Sequence, residues 1–102
     1  MSMKVNTQSV NFTADKKLLD FIQRRMDKLE QFYDKVIKSD VFLKVENTSG
    51  KENKIFEAKL TVPGDSFMVK KVCKTFEEGA DSAANSLERQ LLKRKEKLRT
   101  YL

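Results

Sequence analysis

Three short alternating runs between residues 41 and 73 restrict this chain more than any other feature. Val41, Leu43 and Val45 alternate with Phe42, Lys44 and Glu46; Phe56, Ala58, Leu60 and Val62 alternate with Glu57, Lys59 and Thr61; Phe67, Val69 and Cys73 then take alternate positions. A period of two sends side chains to opposite faces of a strand, so one face of each run is apolar and the other mixed and polar. Turn signals divide the runs. Residues 49–53 read Ser-Gly-Lys-Glu-Asn, and Pro63-Gly64-Asp65 joins a fixed φ to a residue that accepts φ > 0. Strands over 40–47, 54–62 and 67–73 are predicted, joined as an antiparallel meander.

The flanking segments keep a different period. After Thr13-Ala14-Asp15, apolar residues recur at Leu18, Ile22, Met26, Leu29, Tyr33 and Val36, in steps of three and four. That spacing predicts a helix of about five or six turns with one buried stripe, capped by Thr13. Thr75-Phe76-Glu77-Glu78 reads as a capping box, and Ala80, Ala84, Leu87, Leu91 and Leu98 mark a second long helix. Small residues Gly79, Ala80, Ala83 and Ala84 in its first half allow a close approach to the sheet or the first helix. Residues 3–12 carry apolar side chains at Met3 and Val5, then at Val10 and Phe12. The change of phase predicts a first strand with a bulge or bend near Gln8 and Ser9. The expected fold is α+β in the order β-α-β-β-β-α, with a four-stranded sheet and both helices packed on one face. The helix between strands one and two permits them to pair in parallel.

Composition removes whole classes of function. With 102 residues the chain holds one core and is expected to be one domain over 1–102. It has no His, hence no His-based triad, metal site or pH switch, and its one Cys excludes an internal disulfide and a cysteine-rich zinc site. No nucleophile–base pair or Gly-rich phosphate loop is present, so neither an enzyme nor a cofactor is expected, and no small-molecule substrate. No apolar run approaches the ~20 residues of a membrane span. The first residues lack the apolar core of a secretory signal, so a cytoplasmic location is expected.

Charge is abundant and unevenly placed. Lys and Arg number 21 against 15 Asp and Glu, a net charge of +6. Between 89 and 99, six cations (Arg89, Lys93, Arg94, Lys95, Lys97 and Arg99) face the single acid Glu96. Arg89, Lys93 and Lys97 are spaced i, i+4, i+8, opposite the leucine stripe, and Ser82 and Ser86 continue their face backward. Lys17, Arg24, Lys28, Gln31 and Lys35 form a matching row on the first helix. Side by side, the two rows would make one basic surface able to track phosphate backbones. Lys-rich solvated helix faces are common, and cations near a helix C-terminus favour the macrodipole. Charge placement alone leaves both readings open.

The other candidates have plainer readings. Phe21, Phe32 and Tyr33 could stack bases, yet Phe32 and Tyr33 read as closing the core at the helix end. Phe42, Phe56 and Phe67 are core candidates, and Cys73, although near Lys71 and Lys74, reads as a small buried strand residue.

Three stretches carry a family resemblance: Lys28-Leu29-Glu30-Gln31-Phe32-Tyr33-Asp34-Lys35-Val36, Val41-Phe42-Leu43-Lys44-Val45-Glu46, and the run from Leu87 to Leu98, Leu-Glu-Arg-Gln-Leu-Leu-Lys-Arg-Lys-Glu-Lys-Leu. Together with the opening strand they resemble the short bacterial ribosome hibernation-promoting factors, also called protein Y, ribosomal subunit interface proteins or sigma-factor modulation proteins. The resemblance spans nearly the whole chain. It implies a fold akin to double-stranded-RNA-binding domains and binding to the small ribosomal subunit and its ribosomal RNA. The place implied is the channel between head and body, overlapping the tRNA and messenger RNA sites, with translation held off in stationary phase or stress. Carried over by position, the RNA-binding residues are Lys28, Arg89, Lys93 and Lys97, then Arg24, Arg25, Lys35 and Arg94. The C-terminal dimerisation domain of longer members is not expected, and the free protein is expected to be a monomer. Two positions depart from the family pattern: Thr75-Phe76-Glu77 stands where an Asp-x-Tyr is frequent, and Ser86 where a basic residue is frequent. Two alternatives are a generic structured-RNA-binding module and a protein-interaction modulator, such as one acting on a sigma factor.

Overall fold

The computed structural model describes residues 4–10, 12–32, 35–46 and 53–100, with side chains described as far as Arg94 in the last helix. The elements are β1 (Lys4–Val10), α1 (Lys16–Asp27) followed by a 3₁₀ turn (Lys28–Gln31), β2 (Lys38–Val45), β3 (Lys54–Val62), β4 (Asp65–Cys73) and α2 (Phe76–Thr100). The order is the predicted β-α-β-β-β-α. One mixed sheet runs β1-β2-β3-β4, with β1 parallel to β2 and the other neighbours antiparallel. A parallel pair cannot be joined by a hairpin, and α1 supplies the crossover.

The alternation read from the meander decides which face is covered. Val41 and Leu43 of β2, and Phe56, Ala58, Leu60 and Val62 of β3, are buried beneath the helices. Ile22, Met26 and Leu29 close the core from the first helical segment, and Ala80, Ala83, Ala84, Leu87 and Leu91 from α2. α2 lies over β3 and β4, and α1 lies beside it. Gly79 sets the closeness of that packing. A Cβ there would stand 2.9 Å from Phe56 Cβ and 2.6 Å from Cys73 Sγ. Pro63-Gly64 makes the β3–β4 hairpin, with Gly64 at φ 79°, a value that L side chains rarely adopt.

Four local expectations are corrected. No bulge interrupts β1; its register with β2 is continuous from Lys4↔Lys38 to Val10↔Lys44. The change of phase has another cause: Val10 points to the uncovered face, and Phe12, past the strand end, returns to stack on Phe76 at 5.0 Å. The cap of α1 is Asp15 rather than Thr13, its carboxylate accepting from Leu18 N–H at 2.9 Å. The helix is also shorter than its apolar stripe. It tightens into the 3₁₀ turn after Asp27, Phe32 N–H donates to Leu29 O at 3.0 Å, and Val36 reaches the core from the connection. Tyr33 lies outside the described residues. Finally, β2 starts earlier than expected, because Ile37 N–H already donates to Thr61 O at 2.8 Å.

At the start of α2, Glu78 N–H donates to Thr75 Oγ1 at 3.1 Å, as the capping box requires. Cys73 is buried, with Sγ 3.4 Å from Lys54 O. Among the described residues no helix is long and apolar enough to cross a membrane.

Candidate nucleic-acid interface

Once Ile22, Met26 and Leu29 face the sheet, the 100° step of a helix fixes every other side chain of α1. Lys17, Phe21, Arg24, Arg25 and Lys28 fall on the flank turned to α2. With Asp81 of α2 they line an open depression of about 390 Å³. Asp20, Gln23, Asp27 and Glu30 fall on the other flank, where Gln23 Nε2 donates to Asp27 Oδ1 at 2.9 Å. The α1 surface is therefore basic towards α2 and acidic away from it.

Arg25 joins the two helices. Its Nε donates to Asp81 Oδ1 and its Nη2 to Asn85 Oδ1, both at 2.8 Å, and its side chain is only 21% exposed. One planar guanidinium thus ties two successive turns of α2 to α1. On α2, Arg89 and Lys93 line a second shallow depression with Ser86, Gln90 and Leu92. Arg94 turns from that row to the β3–β4 hairpin. Its Nη1 donates to Asp65 Oδ2 and its Nη2 to Pro63 O, both at 3.0 Å. Its side chain is 22% exposed, and its Nε is buried without a partner.

The eight expected RNA-binding residues therefore divide. Arg24, Lys28, Lys35, Arg89 and Lys93 are exposed and, among the described residues, have no carboxylate within 4.0 Å. Lys17 shares that state. Arg25 and Arg94 spend their donors inside the molecule. Lys97 belongs to α2, but its side chain lies outside the described residues, as do those of Lys95 and Arg99. The internal role of the two arginines had a sequence signal. Arg25 stands three residues after Ile22, and Arg94 seven after Leu87 and three after Leu91, so both border an apolar stripe.

One aromatic expectation changes as well. Phe56 is fully buried and Phe67 packs partly against the core, but Phe42 is 37% exposed on the uncovered face of the sheet. Its strand parity, shared with Lys44 and Glu46, already pointed there. Phe76, at the departure from the Asp-x-Tyr pattern, is buried in the stack with Phe12.

Open depressions edged by unpaired cations suit a ligand with many anionic groups over a broad surface. Such a surface exchanges bound counterions for Lys and Arg, and each exchanged charge makes binding more sensitive to salt.

Comparison with known proteins gives a consistent picture. The profile of the family described as "Sigma 54 modulation protein / S30EA ribosomal protein" matches residues 5–99. A ribosome hibernation promoting factor of Pseudomonas putida is 29% identical over 100 residues, covering 98% of this chain and 94% of that protein. One of Klebsiella oxytoca is 30% identical over 99 residues, covering 97% of this chain and all of the other. Among solved structures, a ribosomal subunit interface protein from Coxiella burnetii superposes with a TM-score of 0.80 at 17% identity, over 91% of this chain and 98% of that one. The N-terminal domain of Thermus thermophilus Protein Y superposes with a TM-score of 0.73 at 19% identity, with the same coverage. These two likenesses concern the fold.

Proposed function

Because the chain belongs to the sigma 54 modulation protein / S30EA ribosomal protein family, a family of non-enzymatic ribosome-binding factors, we propose that it is a ribosome hibernation factor that occupies idle ribosomes and keeps them from translating. The finer reading places it on the small subunit, between head and body, where it would exclude tRNA and messenger RNA in stationary phase or stress. A cytoplasmic location and a monomeric free state go with that role.

The observation that carries the reading is the set of unpaired cations on the two helices, Lys17, Arg24 and Lys28 on one side and Arg89 and Lys93 on the other. In this reading they neutralise ribosomal RNA phosphates, joined by Lys35 from the connection before β2 and by Lys97 of α2, and specificity comes from the shape of the RNA cavity. Arg25 and Arg94 serve by position: one holds the helices together and the other holds the hairpin against α2.

The test is a sucrose gradient of stationary-phase lysate containing the tagged protein. Comigration with small subunits, lost in the double variant Arg89→Glu, Lys93→Glu while the fold persists, is the expected result. Unchanged comigration of that variant rejects the basic face. Equal affinity for naked duplex RNA and for ribosomes would favour a generic RNA-binding module. Absence of the wild type from ribosomal fractions would favour a protein partner.

A further inference from the structure

The helices cover one face of the sheet, and the other is open. On it the register aligns Gln8, Phe42, Glu57 and Lys70 across the four strands. Phe42 thus sits on a central strand with its ring in partial contact with solvent. Lys44 is two residues along the same strand, and Lys59 is diagonal to Phe42, so both bases of charge lie within about 8 Å of its backbone position. Of the acids with this parity, Asp40 and Glu57 are engaged, and Glu46, just past the end of the strand, has no ion partner among the described residues. Asp40 accepts from Asn6 at 3.3 Å and pairs with Lys38 at 3.8 Å, and Glu57 pairs with Lys70 at 4.0 Å. Among the described residues Lys4, Lys44 and Lys59 have no carboxylate within 4.0 Å.

An aromatic ring on an open sheet, with unpaired Lys44 along its strand and unpaired Lys59 on the diagonal, has the parts that single-stranded nucleic acid requires: a surface for a base and charges for the neighbouring phosphates. We infer that the open face of the sheet, centred on Phe42 with Lys44 and Lys59, is a second RNA-binding surface, one that takes an unpaired strand while the helix face takes structured RNA. The same cations oppose a second copy of this chain, which would bring like charges together. The inference does not depend on the ribosome reading, since it concerns a different face and a different form of RNA.

The experiment measures fluorescence anisotropy of a labelled oligouridylate of about 12 nucleotides, within the span of single-strand binding folds, on the full chain. Phe42→Ala is expected to weaken binding about five- to 150-fold, the range for loss of one base stack. Lys44→Ser with Lys59→Ser is expected to lower the slope of log affinity against log salt by about 1.4, for two single-strand phosphate contacts. Both effects should persist in the Arg89→Glu, Lys93→Glu background, and neither should alter affinity for a blunt RNA duplex. If Phe42→Ala does not fold, the surface lysine pair still decides the matter. Unchanged single-strand affinity and slope in the folded lysine variant overturn the inference. So would a dimer of the free chain that dissolves in a folded Phe42→Ala variant, because the face would then belong to a second copy. Ribosome comigration in the gradient tests the other face and can fail or succeed separately.

Discussion

Gly79 faces Phe56 and Cys73 at a point where α2 comes down onto β3 and β4. Alanine would improve helix propensity there by about 1 kcal/mol. It would also put a carbon 2.9 Å from Phe56 Cβ, which is fixed to the backbone of a central strand and cannot swing aside. Overpacking of this kind costs about 1–3 kcal/mol before any relaxation. The clash therefore outweighs the propensity, and Gly79→Ala is expected to lower the urea midpoint. A midpoint equal to or above that of the wild type would mean that the helix can lift without penalty. Ser39 presents the opposite case. It is fully buried on the covered face of β2, and its Oγ has no hydrogen-bond partner. Removing an unsatisfied hydroxyl relieves a desolvation cost, so Ser39→Ala is expected to be neutral or to stabilise by up to about 1 kcal/mol in the same measurement.

At the scale of elements, the basic surface depends on how α1 and α2 are held, and the polar part of that contact is the Arg25 fork on Asp81 and Asn85. Asp81 is more than half exposed, so solvent screens the pair and the two hydrogen bonds together contribute about 1–2 kcal/mol. Arg25→Ala should cost about that much in urea unfolding. It should also weaken ribosome binding without changing the salt slope, because no phosphate contact is removed. A smaller slope would show instead that Arg25 leaves Asp81 to meet RNA. Much of this arrangement was legible beforehand. The meander followed from alternation, the parallel first pair from the intervening helix, and the close approach of α2 from its run of small residues. What escaped was tertiary. The stripe from Leu18 to Val36 keeps helical spacing although the helix ends at Asp27, because a connection can also deliver Val36 to the core. Arg25 and Arg94 are candidates through the family resemblance and belong to neither basic row; their place beside the apolar stripe turns them inward. Phe42 has the residue type of a core position, but its strand parity, shared with Lys44, sends it to the open face.

Over the whole molecule, charge is sorted by face more sharply than the net +6 suggests. Lys17, Arg24, Lys28, Arg89 and Lys93 on the two helical faces, and Lys35 on the connection before β2, have no carboxylate within 4.0 Å among the described residues, whereas Arg25 and Arg94 are neutralised in place. If this surface meets RNA as one body, those six together with Lys97 set the counterions released, and log affinity for small subunits should fall with log salt at a slope of about 5–6. Replacing Lys28 by Ser should reduce the slope by about 0.7–0.9. Arg94→Ala should leave it unchanged, while loosening the β3–β4 hairpin enough to increase amide exchange around Pro63 and Asp65, the groups its guanidinium holds. Filter binding of purified small subunits across a salt series measures the slopes, and hydrogen exchange reads the hairpin. Equal slope changes for Lys28 and Arg94 would show that Arg94 abandons Asp65 on the ribosome, and that the division between phosphate-binding and fold-holding arginines exists only in the free protein.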